Sequence, residues 1–261
     1  MARYLIPAGV LVLAGVAWAG GAGGRPTGTL KVDTPGLVLK LDGGKSRVVG
    51  KPKEIPVPPL RAVPLPAGSY KGVSATLHSK DKAGKLWSLE TKGKLGQLAE
   101  FTIAEGETTT LKGGGPLRVN VRVSVLTADD ITPSDVGLSG AFALVPSTGR
   151  FIWVVVRYVG QAGEQYFPRF KVGNLPKPLP SIRIFDEDGR SLTQGDYKRG
   201  GFRVTSAAGD TAREREGFLC EVPIGFTKRI RVKVIHDTGP FTIEPEAKPK
   251  LHSVAPKRKG R

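Results

Sequence analysis

The sequence predicts an all-β fold: two consecutive β-sandwich domains after a signal peptide, with a disordered basic C-terminal tail. Three observations carry that prediction. Apolar residues recur at every second position in short runs, the spacing of a strand with one buried face. The 35 glycines and 21 prolines fall largely between those runs, where they make turns. No segment after the leader carries the period of an amphipathic helix. At 261 residues the chain can hold two domains of roughly 100 residues, each with a core of its own.

The leader comes first. Arg3 gives a positive start, Leu5 to Ala19 is apolar throughout, and Ala17 and Ala19 put small residues where a signal peptidase reads. Residues 1–19 therefore read as a secretory signal cleaved before Gly20, with an uncleaved membrane anchor over Tyr4 to Gly24 as the alternative. A Gly-rich linker, 20–27, follows. The first domain, 28–126, opens with strands over Gly28–Asp33 and Gly36–Asp42 around the turn Thr34-Pro35-Gly36. Six prolines between Lys51 and Pro66 make that stretch an extended edge segment without full ladder pairing. Strands then read over Ser69–Ser79, Lys85–Thr91, Leu98–Ala104 and Glu107–Lys112. The clearest is Leu117–Val125, with Leu117, Val119, Val121, Val123 and Val125 on one face and Arg118, Asn120, Arg122 and Ser124 on the other.

A polar linker, 127–137, leads to the second domain, 138–246. Leu138–Val145 and Phe151–Val159 read as a hairpin, and the second arm is apolar on both faces, which predicts a central strand. Further strands read over Glu164–Phe170, Ser181–Phe185, Gly201–Thr205, Phe218–Val222, Arg229–His236 and Phe241–Glu244. Asp186-Glu187-Asp188-Gly189 reads as a turn rather than a calcium loop, because Ile184 stands where another ligand would be needed.

The stretch Gly28–Gly43, GTLKVDTPGLVLKLDG, resembles the opening of bacterial PEGA-type domains and of prealbumin-like and carboxypeptidase-regulatory-like sandwiches. Leu65-Pro66-Ala67-Gly68-Ser69-Tyr70 is similar to the L-x-A-G-x-Y corner of those modules. The resemblance, over residues 28–70, implies a small β-sandwich of exported or surface proteins with a structural or binding role. The Pro-rich stretch 51–64 departs from it, standing where those domains keep a short link. The second half is similar to immunoglobulin-like or fibronectin-like sandwiches in strand number and pattern alone.

The formal net charge is +17, and its placement is uneven. Residues 28–126 hold 16 basic and 8 acidic side chains, residues 129–246 hold 16 and 15, and residues 247–261 hold 6 and none. The cationic first domain and tail point to anionic partners: a cell-envelope polymer, lipid head groups or acidic polysaccharide, with another envelope protein as a further candidate. The tail contributes Lys248, Lys250, Lys257, Arg258, Lys259 and Arg261 as polyanion-binding residues. Its few apolar residues predict disorder. Nucleic acid ranks last, since neither a recognition helix nor a basic-aromatic sheet signature is present.

Catalytic and metal motifs are not found. Gly44-Lys45-Ser46 lacks the upstream glycine and following helix of a phosphate loop. His78, His236 and His252 have no zinc spacing, and no G-x-S-x-G turn supports a triad. No cofactor is implied. Cys220 rules out an internal disulfide and reads as a small buried apolar residue, with a reactive or dimer-forming thiol as the alternative. Trp87, beside Lys85, is the candidate exposed ring for ligand stacking, while Trp153 reads as core. The function predicted is a non-catalytic exported envelope or extracellular protein; a carbohydrate-binding or enzyme-accessory module is the alternative, and a secreted hydrolase ranks below it.

Overall fold

The computed structural model describes residues 26–42, 54–127, 131–133, 149–199, 202–205, 211–212, 216–222, 226, 229–245 and 250–254. The leader, the linker over 20–25, Gly44-Lys45-Ser46 and the strand expected over Leu138–Val145 lie outside them. In chain order the first strands are β1 (Thr27–Val32), β2 (Leu37–Asp42), β3 (Glu54–Val57), β4 (Ala62–Pro66), β5 (Gly68–Lys80), β6 (Leu86–Glu90), β7 (Glu100–Ile103) and β8 (Thr108–Leu111). Then come β9 (Arg118–Thr127), β10 (Ile131–Pro133), β11 (Arg150–Val159), β12 (Gln165–Tyr166), β13 (Lys171–Val172), β14 (Leu175–Pro176), β15 (Ser181–Asp186) and β16 (Ser191–Asp196). The last are β17 (Lys198–Arg199), β18 (Phe202–Thr205), β19 (Thr211–Ala212), β20 (Glu216–Glu221), β21 (Arg229–Ile235) and β22 (Leu251–Ser253). The protein is all-β, as expected, with a single 3-10 turn over Gly96–Leu98 as the only helical element among the described residues.

The first core lies between two sheets. One has the order β4-β1-β8; the other runs β14-β13-β6-β5-β2-β3, with β7 also pairing β5. Alternation explains the packing. Leu30 and Val32 on β1 and Leu37, Leu39 and Leu41 on β2 are fully buried, while Lys40 points to water. Each such leucine contributes about 1.5–3 kcal/mol relative to an exposed one. The turn between them needs Gly36, whose φ is 77° and whose added Cβ would stand 2.0 Å from the His78 carbonyl oxygen.

The second core lies between the sheet β12-β11-β20-β17, which β9 joins through β11, and the sheet β16-β15-β21-β22. Ile152, Val154 and Val156 of β11 meet Ile182 and Ile184 of β15 and Ile230 of β21 there. The other face of β11 carries Phe151, Trp153 and Val155 into a third, smaller cluster with Leu126. Tyr158 near its end enters the first core. β11 is thus buried on both faces, the central strand that its sequence predicts.

Three expectations change. First, the described residues of the two halves share sheets and a core. β9, expected to end the first domain, pairs residue for residue with β11 from Arg118–Val159 to Thr127–Arg150. β13 crosses to pair with β6, and Tyr158, Ala162, Tyr166, Phe170 and Phe241 pack in the first core. A strand with one apolar face shows that it is half-buried but not which neighbour covers it. Second, the tail over 247–261 is not disordered throughout. β22 pairs with β21, Val254 is fully buried in the second core, and the Arg150 guanidinium donates to the Val254 carbonyl. Leu251 and Val254 are the apolar residues that hold the strand, and the lysines and prolines around them mask that signal in the composition of the segment. Third, the Pro-rich segment forms two ladder-paired strands, β3 on β2 and β4 on β1. Both lie at sheet edges, where a missing N–H is tolerated.

The anchoring of β22 gives a testable outcome. Val254→Ala is expected to cost about 1–3 kcal/mol by lost burial and residual cavity, whereas ending the chain after Val254 should change stability by less than about 0.5 kcal/mol. Urea unfolding of both variants measures this. Equal midpoints for Val254→Ala and the parent protein would show that the segment is not part of the core.

Candidate polyanion-binding face

Trp87 is not an exposed ring. On β6 it alternates with Leu89 toward the first core and keeps 6% exposure. Its indole N–H donates to Asp81 Oδ2 at 3.0 Å, the Lys177 ammonium lies 5.0 Å from the ring centroid, and Gly239 packs so closely that an added Cβ would stand 2.7 Å from the ring. Strand period, not the neighbouring Lys85, decides where the ring goes. Trp153, Tyr158 and Tyr166 are buried too. Phe167 is half-buried, with the Arg157 guanidinium 3.9 Å and the Lys92 ammonium 4.9 Å from its centroid. The half-buried Tyr70 and Phe101 stack at 6.1 Å beside the first core, the Tyr70 hydroxyl donating to the Pro66 carbonyl at 2.7 Å. These rings do not form the flat aromatic platform that sugar stacking needs.

The most distinctive buried polar group is Glu164, in the loop after β11, with no exposure. Its Oε1 accepts from the Gly114 N–H and from the Tyr166 hydroxyl at 3.0 Å, and Oε2 has no hydrogen-bond partner. Gly160 leaves it room, since a Cβ there would stand 2.0 Å from Oε1. Thr34, from the β1–β2 turn, accepts the Gly113 N–H at 3.2 Å beside it. Burial raises the Glu164 pKa, the first cause, and the hydrogen bonds oppose it. No substrate can reach this carboxyl; it ties the segment entering β9 to the loop leaving β11.

Other reactive side chains are occupied in the same way. His236 accepts from the Tyr158 hydroxyl at Nδ1 (2.8 Å) and donates from Nε2 to the Pro178 carbonyl (3.1 Å), and burial lowers its pKa. That network assigns the neutral Nε2–H tautomer. His78 lies within β5, half-buried. Burial pushes the Cys220 thiol up to about 12, so it is protonated near neutral pH and a poor nucleophile. Asp186 to Gly189 is the turn between β15 and β16, with the Asp186 carboxylate accepting the Arg190 N–H at 2.8 Å. Among the described residues no group of three or more His, Cys, Asp or Glu is placed to hold a metal, and no helix is long and apolar enough to cross a membrane.

The feature left on the surface is electrostatic. β21 reads Arg229-Ile230-Arg231-Val232-Lys233-Val234-Ile235. Its register with β15 sends Ile230, Val232 and Val234 inward and aligns the outward residues in rows: Ser181 with Ile235, Arg183 with Lys233, Phe185 with Arg231. β16 adds Gln194 beside Arg183, and β22 adds Leu251 beside Arg231 and Ser253 beside Arg229. Alternate residues on a strand lie roughly 6.6 Å apart, so three cations stand along roughly 13 Å of β21 with Arg183 on the next strand. Arg183, Arg229 and Lys233 are exposed; Arg231 is half-buried and donates to the Glu187 carbonyl at 2.9 Å.

None of these four cations forms a salt bridge among the described residues. Elsewhere lysines do: Lys31 with Asp33 at 3.0 Å, Lys71 with Glu100 at 3.4 Å and Lys171 with Glu90 at 2.9 Å. The acids on these strands are Asp196 at one corner and Asp186 at the end of β15, which is buried and accepts the Arg190 N–H; Glu187 and Asp188 follow in the turn. Of the tail residues expected to bind polyanions, Lys250 is exposed immediately before β22; Lys248, Lys257, Arg258, Lys259 and Arg261 lie outside the described residues. Sequence reading missed the β21 face because it summed charge over 129–246, where the acids cancel it. The alternation of Arg, Arg and Lys with Ile, Val and Val was the legible signal.

No family model, no curated protein and no solved structure matches the chain.

Glu164 supplies a pH test. Its folded pKa lies above the ordinary carboxylate value, so the folded state keeps a proton that the unfolded state has released. This stabilisation is complete below the ordinary carboxylate range and is lost as pH rises through the raised folded value. Glu164→Gln, which keeps an acceptor for Gly114 and Tyr166, is expected to flatten that decline. Urea midpoints of both proteins across the acid-to-neutral range measure it; parallel declines would show that Glu164 is not the group responsible.

Proposed function

We propose that the chain is a non-catalytic exported protein of the cell envelope or extracellular space that binds an anionic polymer through exposed cations. The supporting observation is the outward face of β15 and β21, where four basic side chains stand together without salt bridges among the described residues. Holding like charges together costs free energy unless an anionic partner offsets it, which favours a surface kept for a ligand. The net charge of +17 draws the same partners from a distance. The contact is a surface one, so screening controls its strength: the Debye length falls from about 8 Å at physiological ionic strength to about 3 Å at 1 M.

The leader over residues 1–19 supplies the address. With the tryptophans at 87 and 153 buried, sugar stacking by exposed rings is the weaker reading.

On a heparin matrix the protein is expected to be retained at low salt and released well before about 1 M salt. Flow-through at low salt would sink the binding proposal, and a reporter fused behind residues 1–27 that stays in the cytosol would sink the address.

A further inference from the structure

We infer that Arg183 is the centre of a subsite on the outward face of β16-β15-β21, built to hold the carboxylate or sulfate of one acidic sugar unit. The inference rests on the reading above that the partner is a polyanion, and it names the deciding residue and the ligand class.

The subsite follows from the strand register. Arg183 of β15 stands directly opposite Lys233 of β21 on one side and Gln194 of β16 on the other. All three are exposed, while Ile182 and Ile184, which flank Arg183 along the strand, are fully buried, so the pleat sends the guanidinium outward. Residues directly opposite on antiparallel strands have Cα atoms roughly 4.5–5.5 Å apart, and like charges placed there destabilise a sheet. Arg231 stands on the diagonal from Arg183, held by its donation to the Glu187 carbonyl at 2.9 Å. Asp196 stands on the opposite diagonal, yet neither Arg183 nor Lys233 forms a salt bridge among the described residues. A cation pair that costs free energy and is not neutralised from within the sheet is accounted for by an anion from outside it.

The ligand class follows from the groups in and beside that row. An arginine fork takes a carboxylate or sulfate through two parallel hydrogen bonds, and the lysine beside it adds a point charge. Gln194 in the same row and Ser181 in the next offer neutral groups to the hydroxyls of the ring that carries the acid. Asp196 repels a second acid on the Ser181 side, whereas Arg231 and Arg229 continue the charge on the other. A chain of acidic units therefore runs from Arg183 toward Arg229. Single-stranded nucleic acid asks for successive aromatic platforms, and this face has one half-buried ring, Phe185. A membrane surface asks for a contiguous apolar patch; Ile235 and Leu251 are exposed on this face, but the Lys233 row separates them.

The test compares four full-length proteins: the parent, Arg183→Lys, Arg183→Gln and a control, Lys80→Gln, at the exposed end of β5. Each is titrated at one low salt concentration with a short oligogalacturonate, its methyl ester, dextran sulfate, single-stranded DNA and anionic phospholipid vesicles. The parent is expected to bind the acidic sugars most tightly and to ignore the ester; the galacturonate and sulfate arms tell which acid the fork takes. Arg183→Lys keeps the net charge but loses the fork, so its affinity for the bound sugar should fall roughly fivefold, and that of Arg183→Gln roughly tenfold, with Lys80→Gln within about twofold of the parent. Arg183 points outward, and unchanged urea midpoints verify that each variant keeps the fold. If the parent binds none of the charged probes, the polyanion reading itself fails. If it binds an acidic sugar but either Arg183 variant matches the parent, or Arg183→Gln loses no more than Lys80→Gln, net charge is responsible and the subsite is overturned. Equal binding of the ester, or tighter binding to DNA or vesicles, overturns the ligand class.

Discussion

The structure depends on burying β11 on both faces. A ten-residue strand that reads Arg-Phe-Ile-Trp-Val-Val-Val-Arg-Tyr-Val has no solvent side to spare, so it must lie inside. One face completes the second core and the other a smaller cluster, while Tyr158 enters the first core. β9 and β20 take its two edges. Because β9 also follows directly from the first half, its pairing with β11 makes the two halves share a ladder. Independent sandwiches joined by a linker would instead need two separate central strands.

Where the halves meet, Lys171 pairs with Glu90 at the surface, while the buried Glu164 is held by hydrogen bonds at one oxygen and by no opposite charge. Glu164 is met by an amide and a phenol, and three glycines, Gly113, Gly114 and Gly160, bring main chain close to a carboxyl that a larger residue would displace. An unpaired carboxylate in that position is costly, so burial raises the Glu164 pKa while the bonds from Gly114 and Tyr166 oppose it. The cations of β21 face outward on the other sheet of the second core, apart from this carboxyl. Buried and exposed ionisable groups thus have separate tasks: one joins segments, the other faces solvent.

Much of the fold was legible because strand period is local. Leu117 to Val125 alternates, and the observed β9 covers the same stretch; β1, β2 and β5 also fall within a residue or two of their expected bounds. What was hidden depends on neighbours. β16 reads Ser-Leu-Thr-Gln-Gly-Asp, with one apolar residue, and is a strand because β15 offers it an edge. β22 is masked by its basic surroundings. Trp87 faces inward because Leu89 does. The cationic face was present as alternation in β21 but lost in a sum over more than a hundred residues, since electrostatics acts over spatial neighbours and not over sequence intervals.

The lateness of β22 has a bearing on synthesis. The sheet β16-β15-β21 has an open edge, and the second core lacks Val254, until residues 251–254 have left the ribosome. Until then the closing layer of that core is short of a strand, and the chain behind it is held back from its final packing. If the chain is exported as proposed, such a delay suits a translocation channel, because the pore accepts an extended chain and rejects a finished one.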